Sequence, residues 1–317
     1  VALGQDGFDA GPVAFAAAAS LICPRGTAMR LTSAQLDAGG KPTEEGRQTI
    51  HLAGVDSDPG SIVLAPGAYR VYSTRGPEFH LSQTDVLLVA GETKKPDIKL
   101  PKRAFEPEDM LSADMHVHAA ASLDSYISPE DRLRTYVAEG ADVMVSTEHD
   151  ALFDFSPLST EMGLNDVLVT LTGTEITSEV NTPETPLTIG HGAAYPVRLE
   201  PTQYRQGTVP HEGRRWRDII ADYREKDDSV ILQLNHARNA GEPGETLEQK
   251  LARLGRGVQG AYLDHLGGTM RSFDPGKPID SEHNAPAFEK DEESGYHDMS
   301  FDSMEIMNGP DMPTYRT

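Results

Sequence analysis

The first hundred residues alternate short apolar runs with turn residues. The runs include TIHLAGV, SIVLAPGAYRVYST, FHLSQTDVLLVAG and DIKLPKR. Regularly spaced short runs with alternating apolar and polar positions predict a small antiparallel β-sandwich. The segment PKRAFEPEDM, rich in proline and charge, follows these runs and predicts a linker. We therefore expect an all-β domain over residues 1–105, with its boundary near Phe105.

After the linker, the pattern changes to apolar runs separated by helical stretches. The runs are ADMHVH, ADVMVSTEHD, DVLVTLTGTEIT, PLTIGHGAAYPV, SVILQLNHAR and FDSMEIMNG. Ser128 and Pro129 mark the start of one helix, and Gly140 marks its end. WRDIIADYREKD, which begins at Trp216, predicts a second helix. Strands that alternate with helices are typical of an α/β domain with a mostly parallel sheet, predicted here over residues 106–317.

The charge and cysteine content exclude several classes of partner and site. The 317 residues carry a net charge of −22, whereas a phosphate backbone requires a basic surface, so neither nucleic acid nor an anionic membrane is expected as a partner. The single cysteine, Cys23, excludes an intramolecular disulfide and a thiolate metal cluster. The apolar stretch from Val13 to Cys23 is too short to span a bilayer. Because the sequence begins with Val1, we expect a processed protein, periplasmic or secreted in preference to cytoplasmic.

Residue types that can bind metals recur at the ends of the apolar runs in the second part of the chain. His116 and His118 occupy alternate positions, so both imidazoles can point to the same side of a strand. Later runs end in further residues of this kind, at His149, Glu175, His191 and His236. In a β/α barrel, the carboxyl ends of the strands converge on one mouth, so these residues are expected to meet. Imidazole and carboxylate ligands without thiolate favour Zn, Mn or Fe, and Glu175 is the candidate for a bridging ligand.

Taken together, these motifs resemble the PHP (polymerase and histidinol phosphatase) superfamily. DMHVH, STEHD, GTE, GH, NHAR and SMEIMNG carry the resemblance, and the preceding β-domain is similar to that of CehA/McbA-like metallohydrolases. The resemblance implies a distorted (β/α)7 barrel with a centre of two or three divalent metal ions. It implies that His116 and His118 bind one ion and that Glu175 bridges to a second.

The resemblance also implies roles for the remaining ligands. His191 and His236 would bind the second ion, and Asp124 with His149 would bind a third. Asn235 and Arg238, which flank His236, would face the same mouth.

Two features depart from the family pattern. Glu148 stands in Thr147-Glu148-His149 where the family usually has aspartate, and a late strand with an Asp-x-His ligand pair is missing after His236. A barrel without its last strand would leave an open edge. We therefore expect a C-terminally incomplete barrel that a second chain completes.

The expected activity is hydrolysis by water that the metal ions activate. Arg238, Glu148 and Asp150 are the candidate catalytic residues, and the substrate is a small molecule. Its bond is a phosphoester, or a carboxyl or carbamate ester or amide. The alternative is a non-catalytic or incomplete metal-binding module that needs a second polypeptide to complete the barrel and the site. An oligomer is also compatible with the sequence.

Other basic residues are assigned no function. Arg214, Arg215 and Arg217 open the predicted helix at Trp216 and are expected to form a solvated face. His211 is expected to have a structural role, either exposed to solvent or hydrogen-bonded.

Overall fold

The computed structural model describes residues 17–178, 190–235, 278–282 and 285–305. Helices and sheets both occur, which confirms the α/β class. Contacts between residues divide the chain into two compact units. The first comprises Val1–Ser112, Glu130–Asp142 and Met162–Val167, and the second comprises Ala113–Pro129, Val143–Glu161 and Leu168–Thr317.

The first unit contains two small sheets that share one hydrophobic core. Its described strands are β1 (Ala19–Ile22), β2 (Ala28–Gln35), β3 (Gln48–Ala53), β4 (Ser61–Leu64), β5 (Gly67–Thr74), β6 (Ser82–Leu88) and β7 (Thr93–Lys94). One sheet has the order β4-β1-β7, and the other, which is antiparallel throughout, has the order β3-β2-β5-β6. The shared core joins Leu21 and Ile62 of the first sheet to Leu31, Tyr69 and Val71 of the second. The alternating pattern therefore places one face of each sheet inward, as expected for strands.

A buried carboxylate holds the turn after β3. Asp58 accepts hydrogen bonds of 2.7–3.1 Å from the backbone N–H groups of Ala53, Gly54 and Val55. We expect Asp58→Ala to lower the free energy of unfolding by about 1–3 kcal/mol, because buried N–H groups then lack an acceptor. Asp37 accepts two backbone N–H groups in an exposed turn, so Asp37→Ala is the control and should cost clearly less. Urea unfolding measures both losses, and equal values would contradict the prediction.

The second unit is built on a six-stranded mixed sheet. Its strands are β8 (Ala113–Val117), β9 (Val143–His149), β10 (Val169–Ser178), β11 (Gly190–Tyr195), β12 (Ile231–Leu234) and β13 (Ser303–Met304). Each strand falls on one of the six apolar runs, which confirms that these runs form strands. The order β13-β12-β11-β10-β9-β8 makes strands that follow one another along the chain neighbours in the sheet.

One strand of this sheet runs against the others. β8, β9 and β10 are mutually parallel, and β12 is parallel to β13. β11 is antiparallel to both β10 and β12. A parallel crossover needs about a dozen residues or more, usually including a helix, whereas only 11 residues separate Ser178 from Gly190. A connection of this length favours an antiparallel β11.

The described helices are α1 (Pro129–Ala138), α2 (Ser156–Glu161), α3 (Trp216–Lys226) and α4 (Ala285–Phe288), with a 3₁₀ helix at Tyr204–Gly207. α1 and α3 are the two helices predicted from the sequence, and both begin where their signals indicated. In the part of the chain that the structure describes, no helix combines the length and the apolar character needed to cross a membrane.

Apolar residues cover both faces of the six-stranded sheet. On one face, Trp216 and Ile220 of α3 belong to the same buried cluster as Ile176 and Leu232 of the sheet. On the other face, Val145, Ala193 and Tyr195 form a smaller buried cluster with Met115 and Leu171 packed against it. The second face carries the candidate site at its edge.

Candidate metal centre

The candidate ligands lie along one edge of the six-stranded sheet. His118 directly follows β8, and His149 is the last residue of β9. Glu175 of β10 pairs with His149 in the parallel register. Because β8, β9 and β10 are parallel, their carboxyl ends bring these three side chains together.

His191 reaches the same edge by a different route. The sequence pattern placed it at the carboxyl end of a strand, whereas it is the second residue of β11. Since β11 runs antiparallel to β10, its start lies beside the end of β10, where His191 pairs with Thr177. The residue therefore joins the site from the amino end of its strand, which differs from the expected position.

His116, His118 and Glu175 form the first of three overlapping ligand groups among the described residues. His116 Nε2 lies 2.9 Å from His118 Nε2 and 3.1 Å from Glu175 Oε1. His118 Nε2 lies 3.3 Å from Glu175 Oε2. Both imidazoles of the HxH pair thus face one carboxylate.

Glu175 also belongs to a second group, with His149 and His191. His149 Nδ1 lies 3.1 Å from Glu175 Oε2, and His191 Nδ1 lies 3.2 Å from Glu175 Oε1. The third group contains His118, Asp124 and His149. His149 Nε2 lies 3.3 Å from Asp124 Oδ2, and His118 Nδ1 lies 3.6 Å from Asp124 Oδ1.

Shared residues limit how many cations these groups can hold at once. The first and second groups share only Glu175, and each of its two carboxylate oxygens can bind one cation. The third group shares His118 with the first and His149 with the second, and a neutral imidazole has one lone pair for a metal. The described ligands are therefore suited to two cations bridged by Glu175, and the third group competes with them.

The geometry and the chemistry of these ligands fit divalent transition metals. Ligands at about 2.0–2.2 Å from a tetrahedral cation lie about 3.3–3.6 Å apart. The nitrogen and oxygen atoms of the first group are 2.9–3.3 Å apart, which a small shift would accommodate. Glu175 is 1% exposed, and its imidazole neighbours provide nitrogen ligands that suit Zn, Mn or Fe.

Glu148, a predicted catalytic residue, holds the loop that follows β8. Its buried carboxylate accepts the backbone N–H of Ala119 at 3.0–3.1 Å. Burial raises the pKa of Glu148, and hydrogen bonds from Ser122 and Ala119 partly offset this rise. Ser122 Oγ lies 2.9 Å from His118 Nδ1 and also accepts the backbone N–H of His149 at 2.9 Å. Glu148 is in none of the three ligand groups. Its hydrogen bonds instead hold the loop that follows β8.

Asp150, the next predicted catalytic residue, anchors a different segment. It accepts the backbone N–H of Thr177 at 2.8 Å and lies 2.8 Å from His211 Nε2 and 3.0 Å from Arg205 Nη1. Burial raises the pKa of Asp150, but the hydrogen bond and electrostatic interaction with His211, the N–H of Thr177 and the charge of Arg205 outweigh it, so the pKa is lowered. Asp150 is also outside the three groups. His211 is 1% exposed and is held in hydrogen bonds, in agreement with its expected structural role.

Glu305 is a site residue that the sequence analysis did not single out. Its carboxylate oxygens lie 3.3 and 3.4 Å from Nδ1 of His116, which is the ring nitrogen that does not face Glu175. A carboxylate in this position fixes the tautomer and orientation of a metal-binding histidine. Glu305 directly follows β13, so the signal that identified His149 and Glu175 could have identified it.

We expect cation uptake to release a proton from His116. Burial lowers the pKa of His116, but hydrogen bonds to Glu175 and Glu305 outweigh it and raise the pKa to about 10. A metal binds the neutral imidazole, so at neutral pH this proton must leave, and affinity should rise with pH up to about 10. Calorimetry in buffers of different ionisation enthalpy measures the protons released. Metal affinity that does not change between pH 6 and pH 9 would contradict this prediction.

Two predicted residues, His236 and Arg238, lie outside the described residues, and their roles remain predictions. Asn235, which was expected to face the site, lies inside the described part, and its Nδ2 donates to Glu175 Oε1 at 2.8 Å.

Neither protein-family models, nor curated proteins, nor solved structures give a match to this chain.

Proposed function

We propose that this protein is a metal-dependent hydrolase with a two-cation centre bridged by Glu175. The observation that carries the proposal is a buried carboxylate with an imidazole nitrogen of four histidines within 3.1–3.3 Å. These histidines are His116, His118, His149 and His191. Four imidazoles around one buried carboxylate are a costly arrangement unless they bind a ligand or share protons.

Bound divalent cations would activate water and polarise the bond that is cleaved. The described residues would bind these cations or orient the side chains that bind them. Glu175 would bind both ions, Glu305 would orient His116, and Ser122 would orient His118. Asp124, whose side chain is 40% exposed, is the more accessible of the two carboxylates in the ligand groups.

We further propose that the six-stranded sheet is part of a PHP-type barrel. Support comes from the strand order, in which successive strands are neighbours, and from the ligands at one edge. The substrate class that follows is a phosphoester, or a carboxyl or carbamate ester or amide, hydrolysed without a covalent enzyme intermediate.

Metal stoichiometry and turnover test this function together. Protein loaded with Zn or Mn should hold two ions per chain and should hydrolyse either aryl phosphates or aryl esters and carbamates. His116→Ala and His191→Ala should each remove one ion, because their groups share only Glu175. His80, an exposed histidine of the first unit, supplies the control variant His80→Ala, which should keep both ions. Absence of stoichiometric metal would refute the proposal, and bound metal without turnover would favour a metal-binding module.

A further inference from the structure

A chain of buried polar side chains leads across the sheet to Glu175. Tyr195 Oη donates to Gln233 Oε1 at 2.9 Å, Gln233 Nε2 donates to Asn235 Oδ1 at 3.0 Å, and Asn235 Nδ2 donates to Glu175 Oε1 at 2.8 Å. All four side chains are at most 6% exposed. We call Tyr195, Gln233 and Asn235 the donor chain.

The sheet register makes room for this chain. Glu175 of β10 pairs with Ala193 of β11, which pairs in turn with Gln233 of β12. The small side chain of Ala193 allows Asn235 to reach across β11 to Glu175. Gly173 is closely packed against the same strand, since an added Cβ would come within 2.9 Å of the Cβ of Tyr195 and 2.7 Å of a backbone carbonyl oxygen.

The donor chain has a direction. Each amide uses its carbonyl oxygen to accept one hydrogen bond and its NH₂ group to donate the next, so every donor points toward Glu175. If the amide of Asn235 were reversed, its carbonyl oxygen would face the carboxylate of Glu175, and the two would repel each other. Burial raises the pKa of Tyr195, so its hydroxyl keeps the proton that it donates. The donor chain therefore presents a hydrogen-bond donor, and no acceptor, to Glu175 Oε1.

We infer that Tyr195, Gln233 and Asn235 are positioning residues that orient Glu175 to bridge the two cations. This inference rests on the proposed function, because the bridging role belongs to that proposal. The donor chain leaves Glu175 Oε2 to His118 and His149 while it fixes Oε1. Partners that orient metal ligands in this way typically contribute 10- to 100-fold to metal affinity.

The decisive comparison is Asn235→Asp with Asn235→Ala. Asparagine and aspartate have nearly the same shape, so a side chain that only fills space would tolerate Asn235→Asp. The donor chain predicts the reverse, because Asn235→Asp removes the donor and places a second carboxylate beside Glu175. We expect Asn235→Ala to lower zinc affinity about 10- to 100-fold and Asn235→Asp to lower it further. Competition with a chromophoric chelator measures both constants.

Tyr195→Phe tests the far end of the chain. It removes one hydroxyl and should lower zinc affinity about 3- to 10-fold, as expected for the loss of one hydrogen bond. Combined with Asn235→Ala, it should add little, because the chain is already broken. Tyr223→Phe, which changes another fully buried tyrosine of the same unit, is the matched control and should leave zinc affinity unchanged.

Unfolding of the metal-free protein separates this inference from the proposed function. The donor chain contacts Glu175 without any cation, so metal-free Asn235→Asp should melt below metal-free Asn235→Ala. If the unaltered protein binds no zinc but this order holds, the proposed function fails and the orientation of Glu175 by the donor chain stands. Asn235→Asp with unaltered zinc affinity, or with a melting temperature above that of Asn235→Ala, would overturn the inference.

Discussion

Glu175→Ala is expected to remove both cations, whereas His191→Ala removes one. Glu175 is the only residue common to the first two ligand groups, so its loss takes one ligand from each. It also leaves the imidazoles of those groups without their shared carboxylate. Loss of metal catalysis on the scale of about 4 kcal/mol corresponds to a fall in kcat/KM of about 10³-fold. Elemental analysis and steady-state kinetics measure the two effects.

The matched control is Glu148→Gln, which alters a second buried carboxylate of the same unit. Glu148 accepts the N–H of Ala119 and is in none of the three ligand groups. Glu148→Gln should therefore keep both cations, and any change in its turnover would report on the catalytic role predicted for this residue. A Glu175→Ala protein that still held two cations would contradict the bridging assignment.

Local signals in the sequence were sufficient to locate the strands that carry the candidate site, and also the helix α1 of the first unit. Alternating or continuous apolar runs marked all six strands of the six-stranded sheet. Ser128 and Pro129 marked the start of α1. These signals depend on neighbouring residues only, since side chains alternate along a strand and caps lie within one helical turn. The candidate ligands on these strands followed because their residue types are chemically distinctive and they lie within those same runs.

Relations between distant strands could not be read in the same way. His191 was placed at the wrong end of its strand because strand direction depends on pairing with β10 and not on the run itself. Tyr195 and Gln233 look like ordinary strand residues until the register sets Ala193 between Gln233 and Glu175. The chemistry of single residues was therefore enough to indicate the candidate ligands, whereas the residues that contact them from other strands could be found only from the sheet register.

The arginines around the start of α3 also have a partner that is distant in sequence. They were expected to form a solvated face, but Arg215 forms an ion pair with Asp298, whose side chain is fully buried. Asp298 also accepts the backbone N–H of Arg217 at 3.2 Å, although it is 81 residues away in sequence. The N-cap position, Arg215, provides no side-chain cap of its own. A distant carboxylate thus caps α3 at its positive end.

Asp298→Ala should therefore be among the most destabilising substitutions in the second unit. It leaves the partly buried guanidinium of Arg215 without its partner and a helix N–H without its acceptor, for which we expect a loss of about 3–5 kcal/mol. Asp222 of α3 pairs with Arg214, which precedes the helix, at 2.6 Å, but its side chain is 38% exposed, so Asp222→Ala should cost only about 0–1 kcal/mol. Urea unfolding of the two variants, both metal-free, measures the difference. Equal losses would mean that the Asp298 carboxylate contributes no more than an exposed ion pair, and that α3 does not depend on this cap.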